Sequence, residues 1–583
     1  MSELRTALLA LSLFGVASTA VHAQSAPPTA APAEARRPAP RVPQPLPTAE
    51  LTEQLMFKMM IAEVAVQRGQ TQVAVPAYLD LARETRDPRI AQRATEVAWN
   101  ARMVSQALEA ASLWLQTDPE SSQARQILAA LLVNQSQLEE ARPHLERWLA
   151  ADRDNAGQAF LQLSKLLSRN KDVQGVLQLM RALAEPYANV PEARLTVAQA
   201  AWNAGAQQLV IDESRAALAL RPDWELAALF HAQALQRRSI GDAAAFLEGW
   251  LKTQPQARDA RLNYARLLVT AKRYPEARKE FEVLLAAQPE NGELAMAVAA
   301  LAMQATDYDT ADKLLKRVLD SDYRDKDSAR LYLGQLAEER KRSDEALKWY
   351  AAVGRGEHFV SAQSRYAGVL AKQGKLDLAR RHLRSVEPAN NAQRVQLTQA
   401  EAQLLREAER YQEAFDVLGR ALEQLPNYPD LLYDHAMAAE KVQRFDVLES
   451  NLRKLIEIRP DNAHAYNALG YTLAERNERL DEARKLIETA IGLAPDDPFI
   501  MDSMGWVLYR QGQLKEAVEW LQRAYVLRPD AEVAAHFGEV LWADGQRERA
   551  QQVWKEALKD NAKNEVLQST VKRFMPLITP AAR

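Results

Sequence analysis

A period of 34 residues runs through this chain of 583. Small or apolar residues open the second half of each unit at Ala74, Ala107, Ala141, Val176, Val210, Ala243, Ala277, Ala311, Ala346, Ala379, Ala414, Leu448, Ala483, Ala517 and Ala550. Helix-turn-helix units of that length cannot bury their apolar faces alone, so each must stack on its neighbours. The period therefore predicts an all-α solenoid, a right-handed superhelix of about fifteen antiparallel helix pairs lining a concave groove. With 47% hydrophobic residues, 26% charged and 20 glycines, the composition suits a helix-rich chain. Length alone suggests several globular domains, but an unbroken repeat argues for one array over residues 49–570.

The segment from Pro498 to Pro529 shows the grammar of a unit. Gly505 lets the first helix approach its partner, Leu508 packs one turn later, and Gly512 with Gln513 makes the turn. Ala517 permits a close crossing, Leu521 and Ala524 continue the buried stripe, and Pro529 ends the second helix because proline lacks an N–H. This pattern resembles a tetratricopeptide repeat. Leu469, Gly470, Ala483, Ile487, Ala490 and Pro495 repeat it upstream with one extra residue in the turn. Phe537, Gly538, Ala550, Trp554 and Ala557 repeat it downstream, making 463–562 the best-formed stretch. Units closing on Pro119, Pro222, Pro255, Pro289, Pro426 and Pro460 keep the period and lose some glycines. Those marked by Val176, Val210 and Leu448 depart furthest.

Outside the array the sequence changes character. Arg5, the apolar run Ala7 to Ala20 and the small-x-small site Val21, His22, Ala23 read as an export signal over residues 1–23, which predicts a periplasmic location, free or associated with the outer membrane; the alternative reading is an uncleaved anchor. Residues 24–48 hold Pro27, Pro28, Pro32, Pro38, Pro40, Pro43, Pro45 and Pro47, a composition that favours an extended tether. Thr48 is the expected cap of a run, Glu50 to Arg68, with Leu51, Leu55, Met59, Ala62 and Val66 on one face. Residues 571–583 form a short tail. The chain contains no cysteine, so no disulfide staples the units and no lipid can be joined at the cleavage site. Net charge is −3 without a basic stretch, which removes the electrostatic reason to expect nucleic acid.

A ligand belongs on the first helices, whose inward positions recur at helical spacing. Relative to Gly505 the groove-facing set is Phe499, Asp502, Trp506 and Tyr509. Relative to Gly470 it is His464, Asn467 and Tyr471, and relative to Gly538 it is Glu532, Glu539 and Trp542. Aromatic rings among hydrogen-bonding groups suit an extended peptide or a partner helix; the alternative is that these rings close the array on itself or fill gaps between units. Trp99 and Trp202 share the phase of Trp542, whereas Trp114, Trp148 and Trp250 fall at the buried phase of the second helix. On the groove reading, Trp506→Ala with Tyr509→Ala weakens partner capture and leaves helicity unchanged.

Chemistry has no foothold in the motifs. The eight histidines form no HExxH pair, and no GxSxG elbow, GxxxxGK[ST] phosphate loop or strand-borne GxGxxG occurs. No cofactor, metal or catalytic residue is expected, and the reading is of a non-enzyme.

Four segments resemble one known family: Asn467 to Glu475 (NALGYTLAE), Ile500 to Arg510 (IMDSMGWVLYR), Ala534 to Ala543 (AAHFGEVLWA) and Ala494 to Pro498 (APDDP). They are similar to the proteobacterial envelope tetratricopeptide proteins of the LbcA type, over roughly the last 120 residues. The resemblance implies a periplasmic adaptor that brings a carboxy-terminal processing protease to its substrates, cell-wall hydrolases among them. Members with a lipid anchor need a cysteine that this chain lacks, so membrane association would run through a partner. The alternative is a scaffold or assembly factor for polysaccharide export or outer-membrane biogenesis.

Overall fold

The computed structural model describes residues 52–574. The expected export signal, the proline-rich linker and residues 575–583 of the tail lie outside that range. Among the described residues there are 31 α-helices, two single-turn 3-10 segments and no strand. They divide between Tyr323 and Arg324 into two compact units. The first holds eight helix pairs, and the second holds seven pairs followed by the single helix Glu565–Phe574.

The fifteen phase markers all lie in second helices, and all are buried, Val176, Val210 and Leu448 included. Each therefore marks the line where the two helices of a pair cross. At Gly505 a Cβ would stand 2.5 Å from Leu521 Cγ and 3.1 Å from the Ala517 carbonyl oxygen, so this crossing is too tight for alanine without movement. The expected role of Gly505 follows from backbone proximity, since only hydrogen fits there.

The punctuation between helices has two recurring forms. Within most pairs a residue five before the marker is left-handed: Arg102, Ser136, Lys272, Thr306, Lys341, Glu409 and Gln443 carry this φ as Gly205, Gly374, Gly512 and Gly545 do elsewhere. These seven units lack the glycine and keep its conformation, whereas Lys171 and Arg238, at the same point before Val176 and Ala243, do not. Between pairs, the residue before each closing proline is extended, with φ/ψ of −134°/80° at Asp118, −136°/85° at Arg221 and −139°/76° at Ala494. Proline disfavours a helical conformation in the residue before it, so the second helix stops one residue earlier still.

At the N-terminal end, helix Glu53–Gln67 is capped by Thr52, whose hydroxyl accepts from the Leu55 N–H at 3.2 Å. The residues it buries are Ala62 and Ala65, whereas Met59 of the expected face is exposed. This pair of small side chains at i and i+3 lets the next helix approach closely, which leaves longer neighbours no room on that side.

Candidate partner-binding surface

The second unit brings the first helices Ala463–Glu475, Pro498–Arg510 and Ala531–Ala543 side by side, with Glu565–Phe574 against the last. Residues one repeat apart therefore become neighbours, and this juxtaposition assembles a polar and aromatic cluster. Trp506 Nε1 donates to Glu475 Oε2 at 2.7 Å, and its ring stacks on His536 with centroids 4.3 Å apart. His536 Nδ1 lies 2.8 Å from Asp502 Oδ2, in an ion pair when the imidazole is protonated. Tyr509 hydroxyl donates to Glu539 Oε1 at 3.4 Å, and the other Glu539 oxygen pairs with Arg573. Arg510 donates to the Glu475 carbonyl at 3.1 Å.

Charge in this cluster is set by burial and by the neighbours. Burial by itself would lower the pKa of His536, but the charge and hydrogen bond of Asp502, with Glu475 and Glu539 nearby, raise it above the ordinary histidine value. Glu539 is raised chiefly by burial, against the pull of Arg573 and His536. Tyr471 is raised by burial and then by Glu475 and Asp502, which keeps its phenol protonated. Asn467 Oδ1 and Asp502 Oδ1 are buried and accept from no donor of the protein.

Of the ten residues expected on the groove, the structure joins Asp502, Trp506, Tyr509 and Glu539 in this network, with Tyr471 at its edge and Glu532 exposed. Trp506 is only 5% exposed, Asp502 7% and Glu539 8%, so these three hold neighbouring repeats together. Trp542 packs on Trp554 and Phe574, against the final helix. His464 and Phe499 remain exposed, the latter with the Arg528 guanidinium 4.9 Å from its ring centre. His536, Glu475, Arg510 and Arg573 were not anticipated from the sequence. A search for polar or aromatic partners about one period apart finds them, since Glu475–Trp506, Asp502–His536 and Glu539–Arg573 are separated by 31, 34 and 34 residues.

Upstream, Trp202 is covered by the Arg237 guanidinium at 3.7 Å and packs against Phe230, while Trp99 is exposed. Trp114 and Trp250 are buried, and Trp250 Nε1 donates to the Pro222 carbonyl at 2.8 Å; Trp148 is half-buried. Among the described residues no group of three His, Asp or Glu side chains is placed to hold a metal ion. None of their helices is long and apolar enough to cross a membrane.

Tetratricopeptide repeat models match residues 234–301, 299–358 and 433–498. A tetratricopeptide repeat-containing protein of Pseudomonas aeruginosa is 34% identical over 493 residues, covering 84% of this chain and 82% of the relative. The chain belongs to the tetratricopeptide-repeat proteins. Among solved structures, a tetratricopeptide repeat protein from Parabacteroides merdae is similar over 49% of this chain and 98% of its own, at 16% identity and a TM-score of 0.33. A thermophilic tetratricopeptide protein of Thermus thermophilus is similar over 30% of this chain and 96% of its own, at 22% identity and a TM-score of 0.28. Tetratricopeptide repeats serve protein–protein interaction, and proteins built from them are generally scaffolds that carry no catalysis.

Proposed function

We propose that this chain is a non-enzymatic periplasmic adaptor, which links a carboxy-terminal processing protease to cell-wall hydrolase substrates. The observation that carries the reading is the resemblance of residues 467–475, 494–498, 500–510 and 534–543 to adaptors of that type. Those segments supply Glu475, Asp502, Trp506, His536 and Glu539, the residues that lock the first helices of the second unit into register. A surface held that firmly loses little side-chain entropy on binding. Its action is to hold two partners at once, which raises their mutual concentration, to about millimolar for a short linkage.

Capture from an envelope extract, with the full chain as bait, tests this. Enrichment of a processing protease together with a wall hydrolase supports it; secretion or synthase subunits without protease would replace it with an assembly scaffold. The surface control is Phe499→Ala with His464→Ala, because both side chains are exposed. Trp506→Ala would open a cavity and confound the comparison.

A further inference from the structure

The two ends of the described array are finished differently. At the C-terminal end, helix Glu565–Phe574 covers the last pair, with Phe574 against Trp542 and Trp554. At the N-terminal end, helix Glu53–Gln67 begins the first pair, and no earlier pair packs on it among the described residues. Its open side is apolar. Phe57 is 65% exposed and Met60 60%, and Met56, Ile61 and Val64 are exposed beside them. The end of a solenoid normally carries a polar outer face, because nothing stacks on it.

We propose that a second copy of this chain covers this face, the two helices Glu53–Gln67 packing antiparallel about a two-fold axis between Met60 and Ile61. A closed pair is the commonest outcome when a surface complements itself. The sequence of the helix has that self-complementarity. At 3.6 residues per turn, Phe57 and Val64 lie about 10° to either side of the axis direction, so each ring meets the other copy's Val64. Glu53 and Arg68 lie about 30° to either side, both exposed, and the same operation sets each Glu53 carboxylate opposite the other copy's Arg68. A parallel arrangement would oppose like charges instead.

The other charges of the helix are already neutralised within the molecule. Lys58 pairs with Asp80 at 2.9 Å and with Glu84 at 2.7 Å, and Glu63 pairs with Arg93 at 3.4 Å. No uncompensated charge is therefore buried. With large apolar side chains near 200 Å² each and about half of that bare, the two copies would cover roughly 1,000 Å². That is the lower end of specific interfaces, and it sets the expected dissociation constant at roughly micromolar. Methionine adapts its shape easily, which lets the faces mate without a preformed groove.

Sedimentation equilibrium of the full-length chain in detergent-free buffer tests the proposal. The expected result is a reversible monomer–dimer equilibrium that Met60→Glu weakens at least roughly a hundredfold, because it places two carboxylates beside the axis. Glu53→Arg alone and Arg68→Glu alone each weaken the pair, and the double reversal restores it. These side chains are exposed, and unchanged far-ultraviolet dichroism verifies the fold of each variant. A dimer indifferent to Met60→Glu overturns the proposal, and a double reversal that fails to restore pairing overturns the antiparallel register. A chain that stays monomeric to about 100 μM overturns it as well. If that monomer leaves a hydrophobic dye unbound, the occupant is the chain's own segment before Thr52; if it binds the dye, the occupant is a different protein.

Discussion

His231 and Trp506 show how much single polar contacts decide inside a stacked helical array. Ser214 hydroxyl lies 2.8 Å from His231 Nδ1, the Phe246 ring meets the imidazole edge-on, and burial, with Arg215 and Arg238 near, lowers the histidine to about 4. The unfolded chain protonates this group near pH 6.5, so it binds more protons than the folded one between pH 6.5 and 4. Stability is therefore fully present above pH 6.5 and declines as the pH falls through that window. Between pH 7 and pH 5 the loss should be on the order of 2 kcal/mol, and His231→Gln should flatten the acid limb measured by urea unfolding of the first unit. Trp506 acts through packing as well as through its bond to Glu475. Trp506→Ala should cost about 3–5 kcal/mol, with Trp506→Phe costing about 1 kcal/mol for the lost bond, and a shift in the unfolding midpoint of the second unit reads both. A neutral Trp506→Ala would mean that the ring serves a ligand and not the fold.

At the scale of the helix pair, the turn conformation outlasts the residue that suits it. Lys272 and Thr306 adopt φ of 60° and 59°, where an L side chain crowds its own backbone at about 1–2 kcal/mol. Glycine removes that crowding but increases the entropy of the unfolded chain, so Lys272→Gly and Thr306→Gly should each stabilise by about 0.5–1 kcal/mol. Gly512 occupies the same point of its unit at φ 80°, and Gly512→Ala should move stability the opposite way. Denaturation midpoints of the three variants test the argument, which fails if they all shift in one direction. The glycine pattern alone made the middle units look degenerate, although Lys272, Thr306, Lys341, Glu409 and Gln443 hold the same turn conformation as Gly512 and Gly545. Backbone conformation is chosen by tertiary closure of the pair, and the preferred residue is only the least costly way to reach it.

For the molecule as a whole, a repeat array has few contacts beyond its nearest neighbours, so stability is close to a sum of local terms. Residues 324–583 made alone should accordingly fold, with helical dichroism and a cooperative transition of their own. A fragment without such a transition would show that the seven pairs of the second unit depend on more than each other. The 34-residue spacing of Ala74 to Ala550 and the prolines at the unit ends were sufficient to determine helices, pairs and crossing points. These depend on local pattern and on small residues whose role is to be absent from the crossing. Which side chains meet across repeats was decided only by the stacking. Trp506 reads from its phase as a groove residue, but the approach of Ala531–Ala543 places His536 on its ring, and Ala463–Glu475 on the other side sets Glu475 on its indole N–H. Phase gives the direction in which a side chain leaves its helix, whereas burial depends on what the next helix puts in its path.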